Sequence, residues 1–74
     1  MNKLPQISGK ECVKVLSKVG FLIKRQKGSH IILSRNEPFT EVVIPNHKTL
    51  DKGTLRAIIR QADLDVNEFI ELLN

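Results

Sequence analysis

Phe21-Leu22-Ile23-Lys24-Arg25-Gln26-Lys27-Gly28-Ser29-His30-Ile31-Ile32-Leu33-Ser34-Arg35 decides the fold of this chain. Phe21 and Ile23, then Ile31 and Leu33, recur every second residue, the period of a strand with one buried face. Gly28 stands where the two runs meet, and a tight hairpin needs a residue that tolerates positive φ. After Asn36-Glu37-Pro38 the same period returns in Val42 and Ile44, and Pro45-Asn46 ends it. The spacing predicts three short antiparallel strands, about 21–27, 29–35 and 40–45.

Helices flank this sheet. Ser8 and Glu11 form an S-x-x-E capping box, with Ile7 and Cys12 placed for a hydrophobic staple. Val13, Leu16 and Val19 continue an apolar stripe to Gly20, a left-handed stop, so a helix is expected over 8–20. Leu55, Ile58, Ile59 and Ala62 mark a second helix at about 52–62, and Asp65 with Glu68 caps a short third one. The order α-β-β-β-α-α describes one α+β domain spanning 1–74, its helices packed on one face of a small sheet.

The chain has 74 residues, too few for more than one core. No apolar run approaches the roughly 20 residues of a membrane span, and no apolar segment follows a basic start as in a secretion signal. A single cysteine, Cys12, makes neither an internal disulfide nor a cysteine zinc cluster. The expectation is a cytoplasmic protein. Its net charge of +4 hides an asymmetry. All twelve cations lie between Lys3 and Arg60, whereas Asp63, Asp65, Glu68 and Glu71 fall in the last twelve residues. A body so rich in cations attracts polyanions, RNA or DNA first.

The segment Lys24-Arg25-Gln26-Lys27-Gly28-Ser29-His30 concentrates the chemistry. With Ile31 and Leu33 inward, His30, Ile32 and Ser34 point to the open side of the sheet, beside a basic hairpin. Histidine gives and takes protons near neutral pH, as metal-free RNA cleavage requires. A base removes the 2′-hydroxyl proton, and the freed oxygen attacks the adjacent phosphate while cations stabilise the added charge. Gly28 and Ser29 would position His30; Lys24, Arg25 and Lys27 would hold phosphates. A two-metal route lacks its carboxylate cluster, because Glu11, Glu37, Glu41 and Asp51 are scattered one per element. No metal or other cofactor is expected.

His47, in Pro45-Asn46-His47-Lys48, admits two readings: a second acid–base group or phosphate contact, or a loop residue shaping the approach to helix 52–62. Lys52, Gly53 and Thr54 open that helix, as a phosphate site or a plain cap. Lys52, Arg56 and Arg60 form a basic row, and Lys10, Lys14 and Lys18 another. There is no Trp or Tyr, so the aromatic platform of a base-stacking single-strand binder is missing, whereas recognition through backbone and shape stays open. Leu22, Ile32 and Val43 would form an apolar patch near His30, rimmed by Lys24, Gln26 and Ser34, for a protein partner to cover.

Taken together, these residues resemble the HicA family of small mRNA-interferase toxins from HicA/HicB toxin–antitoxin modules. The likeness runs through Ser8-Gly9-Lys10, Gly20-Phe21, Arg25 to His30, Pro45-Asn46-His47 and Lys52 to Ala62, nearly the whole chain. It implies a double-stranded-RNA-binding-like fold, His30 as the catalytic histidine, ribonuclease activity on translated mRNA, and a HicB-type antitoxin covering the His30 face. Two positions depart from the pattern. Ile31 follows His30 where a second histidine or another polar residue is common, and Asp63 stands where many relatives have glycine.

Two readings therefore compete: an endoribonuclease toxin with one histidine as acid and base, or a non-catalytic RNA-binding module using the same basic faces. A third reading, an interaction protein that docks a partner through the Ile32 patch, predicts no RNA affinity. DNA contact by this chain alone is not expected, since the acids of the last helix would face phosphates.

Overall fold

The computed structural model describes residues 4–73; Lys3 and the extreme chain ends lie outside them. The elements are α1 (Gly9–Ser17), β1 (Leu22–Lys27), β2 (His30–Arg35), β3 (Thr40–Pro45), α2 (Lys52–Gln61) and α3 (Val66–Leu73). They reproduce the α+β order expected from the sequence, with an open antiparallel sheet in the order β1-β2-β3.

Local chemistry sets the helix ends. At α1 the Glu11 N–H donates to Ser8 Oγ at 3.1 Å while the Ser8 N–H donates to the Glu11 carboxylate at 2.9 Å. Asp65 and Glu68 repeat the exchange at α3, at 2.8 and 2.9 Å. Each box satisfies amides that the first helical turn leaves unpaired. Two helices stop alike. After α1 the Phe21 N–H reaches back to Leu16 O and the Gly20 N–H to Ser17 O, both at 3.2 Å. After α2 the Leu64 N–H reaches Ile59 O at 3.1 Å and the Asp63 N–H reaches Arg60 O at 3.0 Å. This is the Schellman pattern, whose turn residue takes a left-handed backbone. Gly20 has φ +95° and Asp63 has φ +63°.

The core lies between the sheet and the helices. Ile31 and Leu33 of β2 and Val42 and Ile44 of β3 bury against Leu16, Leu55, Ile58, Ile59 and Phe69. Both α1 and α2 pack on β3, and α3 packs on α1 and α2. Strand β1 therefore overhangs the helical layer. This corrects the expected core position of Ile23: opposite Leu33, it still keeps 59 % of its surface exposed, whereas Phe21 is buried.

The β1–β2 register shifts between Ile23 and Arg25: Ile23 pairs with Leu33, Arg25 with Ile32. One extra residue in β1 makes a bulge, and a bulge inverts the alternation beyond it. Leu22 opposes Ser34, Arg25 opposes Ile32 and Lys27 opposes His30, all on the helix-free face. Gln26 moves the other way. Expected on the rim of the open face, it pairs with Ile31 on the helical side, and its amide donates to Gly28 O at 3.2 Å.

Candidate active site

His30 begins the central strand directly after the Gly28-Ser29 turn, with Lys27 opposite on one side and Pro45 on the other. Gly28 has φ +56°, and Ser29 does not share the positive φ. Positive φ at the first central residue alone marks a type II′ hairpin turn, whose twist matches the strands it joins. That turn puts His30 at the end of the sheet. Its imidazole is exposed, on the face without helices, and makes no hydrogen bond to any described residue.

The bulge gathers cations around this ring. It brings Arg25 and Lys27 onto His30's face; Lys24 reaches the same face farther from the ring, where its ammonium meets the carboxylate of Glu41, the partner of Ser34, at 3.1 Å. Lys24 also lies 5.6 Å from the centre of the Phe39 ring. The Lys24–Glu41 pair is about two-fifths exposed on each side, so solvent screens it and a phosphate can displace the carboxylate. Arg25 and Lys27 form no ion pair among the described residues. The His30 end of the open face is therefore uncompensated positive charge.

The apolar patch expected here is smaller than the sequence indicated. Leu22 and Val43 are exposed at 72 % and 42 %, but Ile32 retains only 7 %. Ile32 lies on the central strand, flanked by Arg25 and Val43 on the two neighbouring strands. It stands apart from the main core cluster under the helices. Phe39, at 63 % exposure, joins Leu22 and Val43 as solvent-facing apolar surface.

The remaining candidates divide between the two ends of the molecule. The Asn46 N–H donates to Ser29 O at 2.6 Å, fastening the loop after β3 to the turn before His30. His47 follows, exposed, and its carbonyl accepts from the Gly9 N–H at 2.9 Å. Lys52 and Thr54 open α2 at this same end, with Asp51 as N-cap and no side-chain capping bond. Arg56 and Arg60 run away from it along the helical layer. By Ala62 that helix has reached Arg35, at the opposite end of β2 from His30. The structure thus brings Arg25, Lys27, Gly28, Ser29 and His30 together, leaves the Lys24 ammonium farther along the same face beside Glu41 and Phe39, and places Arg56 and Arg60 on a different surface.

Sequence reasoning passed over Arg35. Its guanidinium stacks 4.8 Å from the Phe21 ring and donates to Val19 O and Ala62 O, each at 3.4 Å, while its Nε is buried without a partner. One side chain closes the C-terminal ends of both α1 and α2. No local signal marks it, because its partners come from two distant segments. Cys12 belongs to the core, where burial pushes its thiol up to about 12, so it stays protonated and is no nucleophile. Among the described residues no three His, Cys, Asp or Glu side chains form a metal-holding group. None of their helices is long and apolar enough to cross a membrane.

Fold and surface together define a small basic α+β domain that presents a cationic sheet face around one exposed histidine. The family model described as HicA toxin of bacterial toxin-antitoxin matches residues 9–64, from the start of α1 past the end of α2. That is well over half of the chain, which therefore belongs to the HicA toxin family and is the toxin of a toxin–antitoxin system. Such a toxin has an antitoxin as its partner. No curated protein is a significant match to the chain.

Proposed function

We propose that the protein is a metal-independent endoribonuclease acting on mRNA, with His30 as its proton-transfer group. The observation that carries this reading is the exposed His30 imidazole on the helix-free face, opposite Lys27 and beside unpaired Arg25. His30 takes the 2′-hydroxyl proton. The 2′ oxygen bonds to phosphorus, the bond from phosphorus to the 5′ oxygen breaks, and that oxygen takes up a proton. The products are a 2′,3′-cyclic phosphate and a 5′-hydroxyl. Arg25 and Lys27 hold the phosphate and stabilise the charge that builds on it, and Lys24, released from Glu41, holds a phosphate farther along the open face. Gly28 and Ser29 set the ring's place. Lys52 and Thr54 extend the surface at the same end, whereas Arg56 and Arg60 serve only RNA that wraps around onto the helical layer. A HicB-type antitoxin would cover the open face, where Leu22, Val43 and Phe39 offer apolar contacts beside the cations.

The rival is an RNA-binding module without catalysis. One observation favours it: among the described residues no carboxylate or carbonyl orients the His30 ring, as a general base usually requires. Incubating the purified chain with RNA in the presence of EDTA separates the two. Cleavage that leaves cyclic phosphate ends, and that stops at positions carrying 2′-deoxyribose, supports the nuclease. Salt-sensitive binding with intact RNA at every protein concentration supports the module.

A further inference from the structure

We propose that the groove between Lys10, His47 and Lys48 is a second phosphate site, which takes a backbone phosphate of the RNA strand next to the one presented to His30. The proposal rests on the ribonuclease reading above and adds a subsite to it. Ser8, Lys10, Asn46, His47 and Lys48 line the groove. Two ammonium groups and an imidazole meet there without a carboxylate among the lining residues, and none of the three is in an ion pair among the described residues. The α1 carboxylate at Glu11 is turned back onto the Ser8 N–H at 2.9 Å. Because Ser8 Oγ already accepts from the Glu11 N–H, its hydroxyl proton is free to donate to an anion.

The helix end is not the main attraction, since the Gly9 and Glu11 amides are already used. The Gly9 N–H donates to His47 O at 2.9 Å and the Glu11 N–H to Ser8 Oγ at 3.1 Å. These contacts instead make the groove rigid. The Leu50 N–H adds a bond to Ile7 O at 2.8 Å, so the segments 7–9 and 47–50 are tied together. A Cβ on Gly9 would lie 2.1 Å from Pro45 O, which shows how closely α1 presses on the end of β3. The walls carrying Lys10 and Lys48 are therefore held in register before any ligand arrives.

Position links this groove to His30. Pro45 pairs with His30 across the ladder, and the Asn46 N–H donates to Ser29 O at 2.6 Å. His47 is only two residues beyond Pro45, at most about 7 Å along the chain. Adjacent phosphates of one extended strand are spaced on that scale. An RNA held at both places would present its intervening 2′-hydroxyl to the imidazole without base contacts, in keeping with a chain that lacks Trp and Tyr.

The test measures binding of a fully 2′-O-methylated single-stranded oligonucleotide, which cannot be cleaved, as a function of salt. Lys10→Gln with Lys48→Gln should weaken binding roughly tenfold at low salt and lower the log–log salt slope by about 0.7, the value of one phosphate on a single strand. Lys14→Gln, elsewhere on α1, should leave the slope unchanged. If the double variant keeps the parental slope while Lys27→Gln lowers it, the subsite is wrong and the His30 reading survives. If the parent protein shows no affinity at low salt, both fall together. Native-like circular dichroism of each variant keeps a folding defect from imitating either result.

Discussion

Lys27 and His30 stand directly opposite each other across the β1–β2 ladder, on the face of the sheet that no helix covers. Cross-strand partners on one face have Cβ atoms about 5 Å apart. An ammonium and an imidazole so placed would both reach one phosphate in the proposed reaction. Lys27→Gln keeps the length and polarity of the side chain and removes only its charge. It should lower kcat/KM for RNA about tenfold, close to 1.4 kcal/mol of transition-state stabilisation, with little change in the urea midpoint. Unchanged cleavage would remove Lys27 from the phosphate site.

The turn between those residues depends on a left-handed backbone. Gly28 has φ +56°, and beyond its two chain neighbours no atom of the described residues lies within 4 Å of where a Cβ would sit. The cost of Gly28→Ala is therefore conformational rather than steric, about 1–2 kcal/mol. Urea unfolding should show that loss, and cleavage should fall further than stability alone explains because His30 lies two residues beyond Gly28. A variant as stable as the parent would mean that the turn tolerates another geometry.

Arg35 joins three pieces that the chain order keeps apart: the Phe21 ring and the carbonyls of Val19 and Ala62. Arg35→Ala loses a ring contact and two charge-assisted bonds, and should cost about 2 kcal/mol. Since Arg35 lies at the opposite end of β2 from His30, kcat measured on the folded fraction should hold. A drop in kcat at unchanged stability would point to a role that the geometry does not provide.

Asp63 closes α2 at φ +63° in a position that favours glycine. Asp63→Gly relieves the left-handed strain but gives the unfolded chain more freedom, leaving a net gain of about 0.5–1 kcal/mol. For a domain of this size that raises Tm by roughly 2–8 °C. A lower Tm would show that the exposed aspartate makes a compensating contact.

Much of this architecture was legible because its determinants are local. Ser8 with Glu11, and Asp65 with Glu68, each signal a helix start within four residues, and both boxes form. The alternation of Ile31 and Leu33, then Val42 and Ile44, identified the buried face because β2 and β3 lie under the helices. The same alternation misled at Ile23, since which strand overhangs depends on where α1 and α2 land. It misled again at Gln26, where a bulge beside Lys24 inverts the phase; no glycine or proline in β1 announces it. The cationic hairpin was readable as a motif. That one face gathers Arg25 and Lys27 beside His30 required the bulge, and so the fold.

The most direct test of the account is the initial rate of RNA cleavage by His30→Ala, beside the parent, at matched secondary structure. The residue is exposed and makes no hydrogen bond among the described residues, so its loss should leave stability within about 0.5 kcal/mol. Removing a proton-transfer group should slow cleavage between about a hundredfold and ten-thousandfold while RNA binding persists. Cleavage by the alanine variant at the parental rate would contradict the account, whatever else the cationic face binds.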